Sequence, residues 1–171
     1  EPNAGSDLAS LQLRATADGD GFVLNGSKIW TTQANDAARI FVLARTSSTG
    51  RKQEGISFFL CDMTSPGISL RPIVNLTGED EFSQVFFDNV RVPTANLVHQ
   101  IDKGWDVAKS LLGAERVSLG SPNLSKQAFA ILEQTAAELG AVADPSYLER
   151  RSRLVCDLHD LEALYRDVCD A

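Results

Sequence analysis

The chain contains 171 residues, 43% of them hydrophobic and 23% charged, which is the balance of an ordinary soluble globular protein. Its 16 lysines and arginines are outnumbered by 23 aspartates and glutamates, so the net charge of -7 disfavours a nucleic-acid-binding surface. Because no run of apolar residues is long enough to cross a bilayer, we expect no transmembrane helix.

Cysteine and histidine usage indicates a reducing compartment and no metal centre. The three cysteines, Cys61, Cys156 and Cys169, are odd in number, far apart and without CxxC spacing, which argues against a disulfide framework. His99 and His159 have no second ligand at metal-binding spacing. The chain starts without a methionine, a basic segment or an apolar leader. We therefore expect a cytoplasmic protein whose natural sequence continues upstream.

The first half of the chain shows the pattern of short strands separated by turns. Apolar segments at 22–24 and 27–30 flank Asn25-Gly26, a dipeptide that favours the positive φ angles of a tight hairpin. Residues 18–21 (DGDG) lack the later ligands of a calcium loop and are predicted to form a turn. Further strands are expected at 39–45, 55–63, 68–73 and 82–87. With no helical period between them, these strands predict an antiparallel sandwich or barrel-like domain over residues 1–98.

The period becomes helical from Gly104 onward. One face of the first predicted helix carries Trp105, Ala108, Leu112, Glu115 and Leu119. A second helix is expected from about residue 121 until Gly140 ends it, and a third from about Pro145 to the end of the chain. We therefore predict an α+β fold whose second domain, residues 99–171, contributes antiparallel helices to a bundle.

Glu115 is the most informative residue of the predicted helices. A carboxylate on the apolar stripe of a helix must be paired, protonated or functional, because burial of an unpaired charge is costly. By pattern alone, a buried ion pair with an arginine of another helix is favoured over catalysis. Arg116 is not the simple partner, because adjacent helical residues point to different sides.

Two segments of the strand region could contact a ligand. Residues 5–7 (GSD) offer backbone N–H groups, a hydroxyl and a carboxylate, and they form either a turn or a site for a polar ligand. Trp30, Thr31 and Thr32 end a strand with a flat aromatic ring beside two hydroxyls, a combination that suits a planar cofactor. A tryptophan that simply packs at the rim of the domain is the commoner alternative.

Three segments in register resemble the acyl-CoA dehydrogenase family. They are residues 1–7 (EPNAGSD), 25–32 (NGSKIWTT) and 85–93 (VFFDNVRVP), followed by Gly104-Trp105 at a helix start. The resemblance covers residues 1 to about 130. It implies a middle β-domain and the first helices of a C-terminal four-helix bundle, with FAD between them and an N-terminal helical domain that is absent here.

The resemblance also implies roles for individual residues. The segments that contact the flavin in the family are matched here by Gly5, Ser6, Trp30, Thr31 and Thr32. Ser6 also matches a contact with the thioester substrate. The resemblance thus favours a flavin contact for Trp30 over simple packing at the rim.

Two further roles come from the helical region of the family. Glu115 matches the position at which part of the family has its catalytic base, and Arg116 matches an arginine near the substrate. Other members have the base later in the bundle, beyond residue 171, so both positions stay open.

The function that this resemblance implies is FAD-dependent dehydrogenation of an acyl-CoA to a trans-2-enoyl-CoA. Electrons would pass to an electron-transferring flavoprotein, and the enzyme would be a homo- or hetero-tetramer. Residues 140–147 (GAVADPSY) replace the family's Arg-x-x-Phe-Gly segment, which puts the flavin contact across subunits in doubt. The Asp144-Pro145 break and the leucine-rich third helix are more similar to the actinobacterial branch in which related subunits assemble as heterotetramers, some of them acting on steroid side-chain thioesters. A flavin oxidase or monooxygenase, or a partner subunit without catalytic activity, remains an alternative.

Overall fold

A computed structural model describes residues 1–170, apart from the side chains of Ala114 and Arg116. The chain divides into two compact units, Glu1–Ser110 and a second unit that begins at Leu111. The first unit is built on one seven-stranded sheet with the order β5-β6-β2-β1-β3-β4-β7. Its strands are β1 (Arg14–Asp18), β2 (Gly21–Thr32), β3 (Arg39–Arg45), β4 (Ile56–Asp62), β5 (Ile68–Ile73), β6 (Phe82–Pro93) and β7 (Leu97–Val98).

The sheet is antiparallel except where β1 and β3 pair in parallel at Arg14 and Arg45. A tight turn joins β1 to β2, with Asp18 paired to Gly21 and Gly19 at a φ of 63°. The turn predicted at residues 18–21 is therefore confirmed. The predicted α+β class is also confirmed, with one parallel pairing in an otherwise antiparallel sheet.

The hairpin predicted at Asn25-Gly26 is wrong, because β2 runs through this dipeptide without turning. Leu24 pairs with Val90 and Gly26 with Phe87, so β6 holds one extra residue here and bulges. The Asn25 carboxamide oxygen accepts a hydrogen bond from the N–H of the bulged Asn89 at 2.9 Å. Gly26 has a φ of 140°, and a Cβ there would lie only 3.0 Å from the Leu13 Cα. The dipeptide thus serves a bulge and a close approach of the chain.

The core of the first unit lies on the concave side of this sheet. Phe22 of β2 and Phe59 of β4 are not on neighbouring strands, yet their ring centroids are 5.0 Å apart, because the sheet curls as its strands twist. Alternate residues of the strands supply the remaining core side chains, which include Leu13, Ala15, Leu24, Val42, Ala44, Cys61, Val85, Phe87, Val90 and Val92.

Three α-helices follow the sheet: α1 (Gly104–Leu119), α2 (Asn123–Glu138) and α3 (Pro145–Asp170). Pro122 precedes α2, and Gly140, at a φ of 69°, follows it, as the sequence predicts. Within the second unit, Arg151 of α3 forms an ion pair with Glu133 of α2, and its guanidinium lies 5.8 Å from the centroid of the Phe129 ring. None of the helices in residues 1–170 is both long and apolar enough to span a membrane.

A polar network and a close backbone contact attach the start of α1 to the sheet. Ser57, which is fully buried on β4, has its hydroxyl 2.7 Å from the Thr46 hydroxyl and accepts the N–H of Asp102 at 2.8 Å. The Asp102 carboxylate accepts the Thr46 hydroxyl in turn. At Gly104, a Cβ would lie 2.5 Å from the Ser57 carbonyl carbon. The first residue of α1 therefore packs directly on the β4 backbone.

Replacement of Gly104 by alanine should lower the free energy of unfolding. Alanine favours a helix by up to about 1 kcal/mol over glycine, but a methyl group that displaces backbone in a packed core costs about 1–3 kcal/mol. Gly113→Ala in the same helix is the matched control, because among the described residues no atom outside the helix's own backbone and the neighbouring residues lies within 4 Å of its added Cβ, and we expect it to stabilise slightly. Urea unfolding of the two variants tests this difference, and equal shifts would contradict the close contact.

Candidate functional site

A pocket of about 280 Å³ opens on the first unit beside the end of β2. Its walls come from the N-terminal loop, from β2 and from β3, and they are mainly apolar. The lining residues are Glu1, Ala4, Leu8, Leu11, Lys28, Ile29, Trp30, Thr31, Ile40, Phe41 and Leu43. Such a cavity, with a few polar groups in an apolar wall, has the composition of a small-molecule site.

Trp30 stands on a bulge at the edge of this pocket. Lys28 pairs with Val85 and Thr31 with Ser83, so β2 carries one extra residue between these pairs. Trp30 has a φ of 61°, an unusual value for a bulky residue and one that functional sites often contain. Its side chain is 62% exposed and meets the Phe82 ring edge-on, with centroids 6.1 Å apart. The bulge therefore turns the indole outward instead of into the core.

Thr31 and Thr32 follow the bulge with hydroxyls that are available to a ligand. Thr31 is half-buried and lines the pocket, whereas Thr32 is exposed. Among residues 1–170, neither hydroxyl takes part in a side-chain hydrogen bond. The structure thus places the Trp30 indole and the Thr31 hydroxyl at one rim of the pocket, whereas Thr32 is not among the lining residues.

Gly5 and Ser6 lie in the loop that forms another wall of the pocket. Both residues are exposed, and their neighbours Ala4 and Leu8 line the cavity. The Ser10 hydroxyl donates to the Asn3 and Asp7 carbonyl oxygens at 2.9 and 2.8 Å, which fixes the shape of the loop. Gly5 has open space around its Cα and an ordinary φ, so the fold itself does not require glycine there.

A partly buried ion pair forms the polar part of the pocket wall. The Lys28 Nζ donates to Glu1 Oε1 at 2.7 Å, and the two side chains are only 18% and 10% exposed. The Glu1 carboxylate also accepts the backbone N–H groups of Gln12 and Leu13. One carboxylate therefore connects the start of the chain, the segment before β1 and the middle of β2.

Burial and pairing act in opposite directions on these two charges. Burial alone would raise the pKa of the Glu1 carboxyl, but the hydrogen bonds from Lys28, Gln12 and Leu13 outweigh it and lower that pKa. Burial lowers the pKa of the Lys28 ammonium, and the Glu1 carboxylate opposes this change only in part. Mutual contact thus favours the charged form of each partner, and burial opposes it.

The two residues predicted from the helical region belong to the second unit. Glu115 lies on α1 with an exposed side chain. The side chain of Arg116 lies outside the described residues. The roles of Glu115 as base and of Arg116 as a substrate contact therefore stay predictions, as do the ligand contacts of Gly5, Ser6, Trp30, Thr31 and Thr32.

Sequence reasoning missed the Glu1–Lys28 pair, although a signal for it was present. Lys28 is the one charged residue of β2 and lies two positions before Trp30. The reasoning applied to Glu115, that a charge in an apolar pattern needs a partner, applies equally to this lysine. Its partner is 27 residues away in sequence, so only the fold identifies it.

Comparison with known proteins agrees with this architecture. Residues 1–90 match the model of the acyl-CoA dehydrogenase middle domain. The acyl-CoA dehydrogenase IpdE1 of Mycobacterium tuberculosis is 40% identical over 155 residues, which are 90% of this chain and 40% of that protein. The chain belongs to the acyl-CoA dehydrogenase family.

Two solved structures share the fold over nearly the whole chain. The G363A variant of the Tcur3481-Tcur3483 steroid ACAD aligns with a TM-score of 0.92 and 32% identity, covering 100% of this chain and 45% of that one. The ChsE4-ChsE5 complex from Mycobacterium tuberculosis aligns with a TM-score of 0.85 and 30% identity, covering 98% and 45%. The chain therefore spans less than half the length of these relatives.

Proposed function

We propose that the full-length protein is an FAD-dependent acyl-CoA dehydrogenase that converts a saturated acyl-CoA into a trans-2-enoyl-CoA. Family membership implies a flavin cofactor. The observation that supports the proposal best is the outward-turned indole of Trp30, on a bulge at the rim of an apolar pocket and next to the unused hydroxyl of Thr31. A packed structural tryptophan would have no need of a disfavoured backbone conformation or of such exposure.

The residues at this rim fit a flavin. A flavin ring has flat apolar faces and a polar edge, so it needs an aromatic or aliphatic wall and a few hydrogen-bond donors. Trp30 would hold the face of the ring, Thr31 and Thr32 would donate to its edge, and Gly5 and Ser6 would hold it from the loop. When bound, the flavin supplies the two-electron acceptor that protein side chains lack.

The protein's own part in the reaction is proton removal and alignment. In the proposal, the Glu115 carboxylate removes the proton α to the thioester carbonyl, and Ser6 and Arg116 bind the substrate. Hydrogen bonds to the thioester oxygen stabilise the negative charge that develops there.

The wider setting of the enzyme is also part of the proposal. We expect electrons to pass to an electron-transferring flavoprotein in the cytoplasm. We expect a homo- or hetero-tetramer, and the aligned structures named as a steroid ACAD and as a two-component complex favour assembly with a second kind of subunit and a bulky acyl substrate.

A partner subunit that holds no flavin is the second candidate function. It is favoured by residues 140–147, where a short turn at Ala141–Ala143 and the start of α3 replace the family's Arg-x-x-Phe-Gly segment. The rim formed by Trp30 and Thr31 argues for the enzyme instead.

The absorption spectrum of the full-length protein tests the proposed function. We expect a flavin spectrum that bleaches when acyl-CoAs are added without oxygen, with chain length and steroid side chains varied in turn. A colourless protein, both alone and with its partner subunit, would contradict the proposal and support the second candidate. Rapid reoxidation of the bleached flavin by oxygen would instead identify a flavin oxidase on the same scaffold.

A further inference from the structure

The partly buried ion pair between Glu1 and Lys28 connects the two segments that line the candidate flavin rim. Glu1 begins the loop that carries Gly5 and Ser6, and Lys28 begins the bulge that carries Trp30. Both charged side chains also line the pocket. Among the side chains that the structure describes, no other ion pair has both partners less than one-fifth exposed.

We propose that Glu1 and Lys28 are positioning residues that fix Trp30 and the N-terminal loop in the geometry that binds flavin. The inference rests on the proposed function and deepens it. On this inference, a salt bridge in the pocket wall controls the affinity for flavin and the reduction potential of the bound flavin.

The register of β2 explains why an anchor is needed at Lys28. Lys28 is the last residue of β2 that pairs regularly with β6 before the extra residue of the bulge. After Lys28, the regular pairing of β2 is interrupted and Trp30 adopts a positive φ. Such a conformation persists only where the surroundings enforce it, so the residue before the bulge needs a stabilising contact. The Glu1 carboxylate provides this point through Lys28.

The other contacts of Glu1 fix the carboxylate itself. Glu1 Oε1 accepts hydrogen bonds from the Lys28 ammonium and from the backbone N–H of Leu13, and Oε2 accepts one from the backbone N–H of Gln12. Three donors from two different segments leave the carboxylate little freedom to follow Lys28 if the bulge moves. The ion pair therefore holds the pocket rim at a fixed position relative to the segment before β1.

The charges of the pair lie in the pocket wall, and this gives a distinct electrostatic signature. A positive charge near a flavin stabilises its reduced, more negative form, and a negative charge destabilises that form. Removal of Lys28 leaves the Glu1 carboxylate, and removal of the Glu1 charge leaves the ammonium. The two changes should thus shift the reduction potential in opposite directions.

The test uses Lys28→Met, Glu1→Gln and the double variant of the full-length protein. We expect each single variant to bind FAD about tenfold or more weakly, because removal of one partner leaves the other charge unpaired in the pocket wall and frees the rim. The reduction potential should fall in Lys28→Met, rise in Glu1→Gln and return near the wild-type value in the double variant. Glu1→Gln preserves the shape of the side chain, so it decides the matter alone if Lys28→Met does not fold.

Arg39→Gln is the matched control, because Arg39 pairs with Asp62 at 3.0 Å on the exposed side of the same sheet. The inference would be overturned if both single variants bound FAD as tightly as Arg39→Gln does. It would also be overturned if their reduction potentials shifted in the same direction. Either result would leave the proposed flavin enzyme intact. A wild-type protein without flavin would overturn the proposed function and this inference with it.

Discussion

Replacement of Glu115 by glutamine in the full-length protein is expected to slow the reduction of bound flavin by acyl-CoA by about 10²- to 10⁴-fold, the usual contribution of a general base. Glutamine keeps the size of the side chain but cannot accept the α proton. Flavin binding should change little, because the residues proposed to hold the ring lie on the loop and on β2. Anaerobic stopped-flow absorbance measures the reduction, and a flavin titration measures binding.

Glu138→Gln is the matched control, since Glu138 is also an exposed helical glutamate and accepts a hydrogen bond from Gln134 of the same helix. Acyl-CoA should reduce the bound flavin of this variant at the wild-type rate. Unchanged reduction in Glu115→Gln would refute Glu115 as the base. The base would then lie after residue 171, as in the part of the family with a later carboxylate.

Replacement of Phe59 by alanine should destabilise the first unit by about 3–5 kcal/mol, the cost of emptying an aromatic site in a packed core. Phe59 is fully buried on β4, and its ring contacts Phe22 across the curled sheet. Both tryptophans, Trp30 and Trp105, belong to this unit. Their fluorescence during urea unfolding of the chain therefore reports the stability of the unit itself.

Leu60→Ala is the control on the adjacent position, because Leu60 faces away from the core and is 43% exposed. We expect it to change the free energy of unfolding by less than about 1 kcal/mol. Similar losses in the two variants would mean that the concave side of the sheet is not the main core.

Local sequence signals were sufficient for most of the elements. The apolar, β-branched runs at Arg39–Arg45 and Ile68–Ile73 match β3 and β5 residue for residue. The signals around Pro122, Gly140 and Pro145 gave the bounds of α2 and α3 within about two residues. These signals act over a few residues, through restricted φ angles and side-chain periodicity, so they are legible without the fold.

Signals that depend on a distant partner could not be interpreted from sequence alone. Asn25-Gly26 has the chemistry of a hairpin turn, but its positive φ serves a bulge that involves Asn89, 64 residues away. The bulge that turns Trp30 outward depends in the same way on the register with β6. For the site, the family resemblance is confirmed, whereas the assigned residues still await the experiments above.

The extra residue of β2 between Lys28 and Thr31 limits how this region can change in length. Successive residues of a strand point to opposite faces of the sheet. Deletion of one residue here would make the pairing with β6 regular, and side chains of the bulged segment would then point to the opposite face. Substitution of Trp30 would remove one aromatic surface, but a deletion would rearrange the whole rim. Insertions and deletions at these positions should therefore be rarer among functional homologues than changes of side chain.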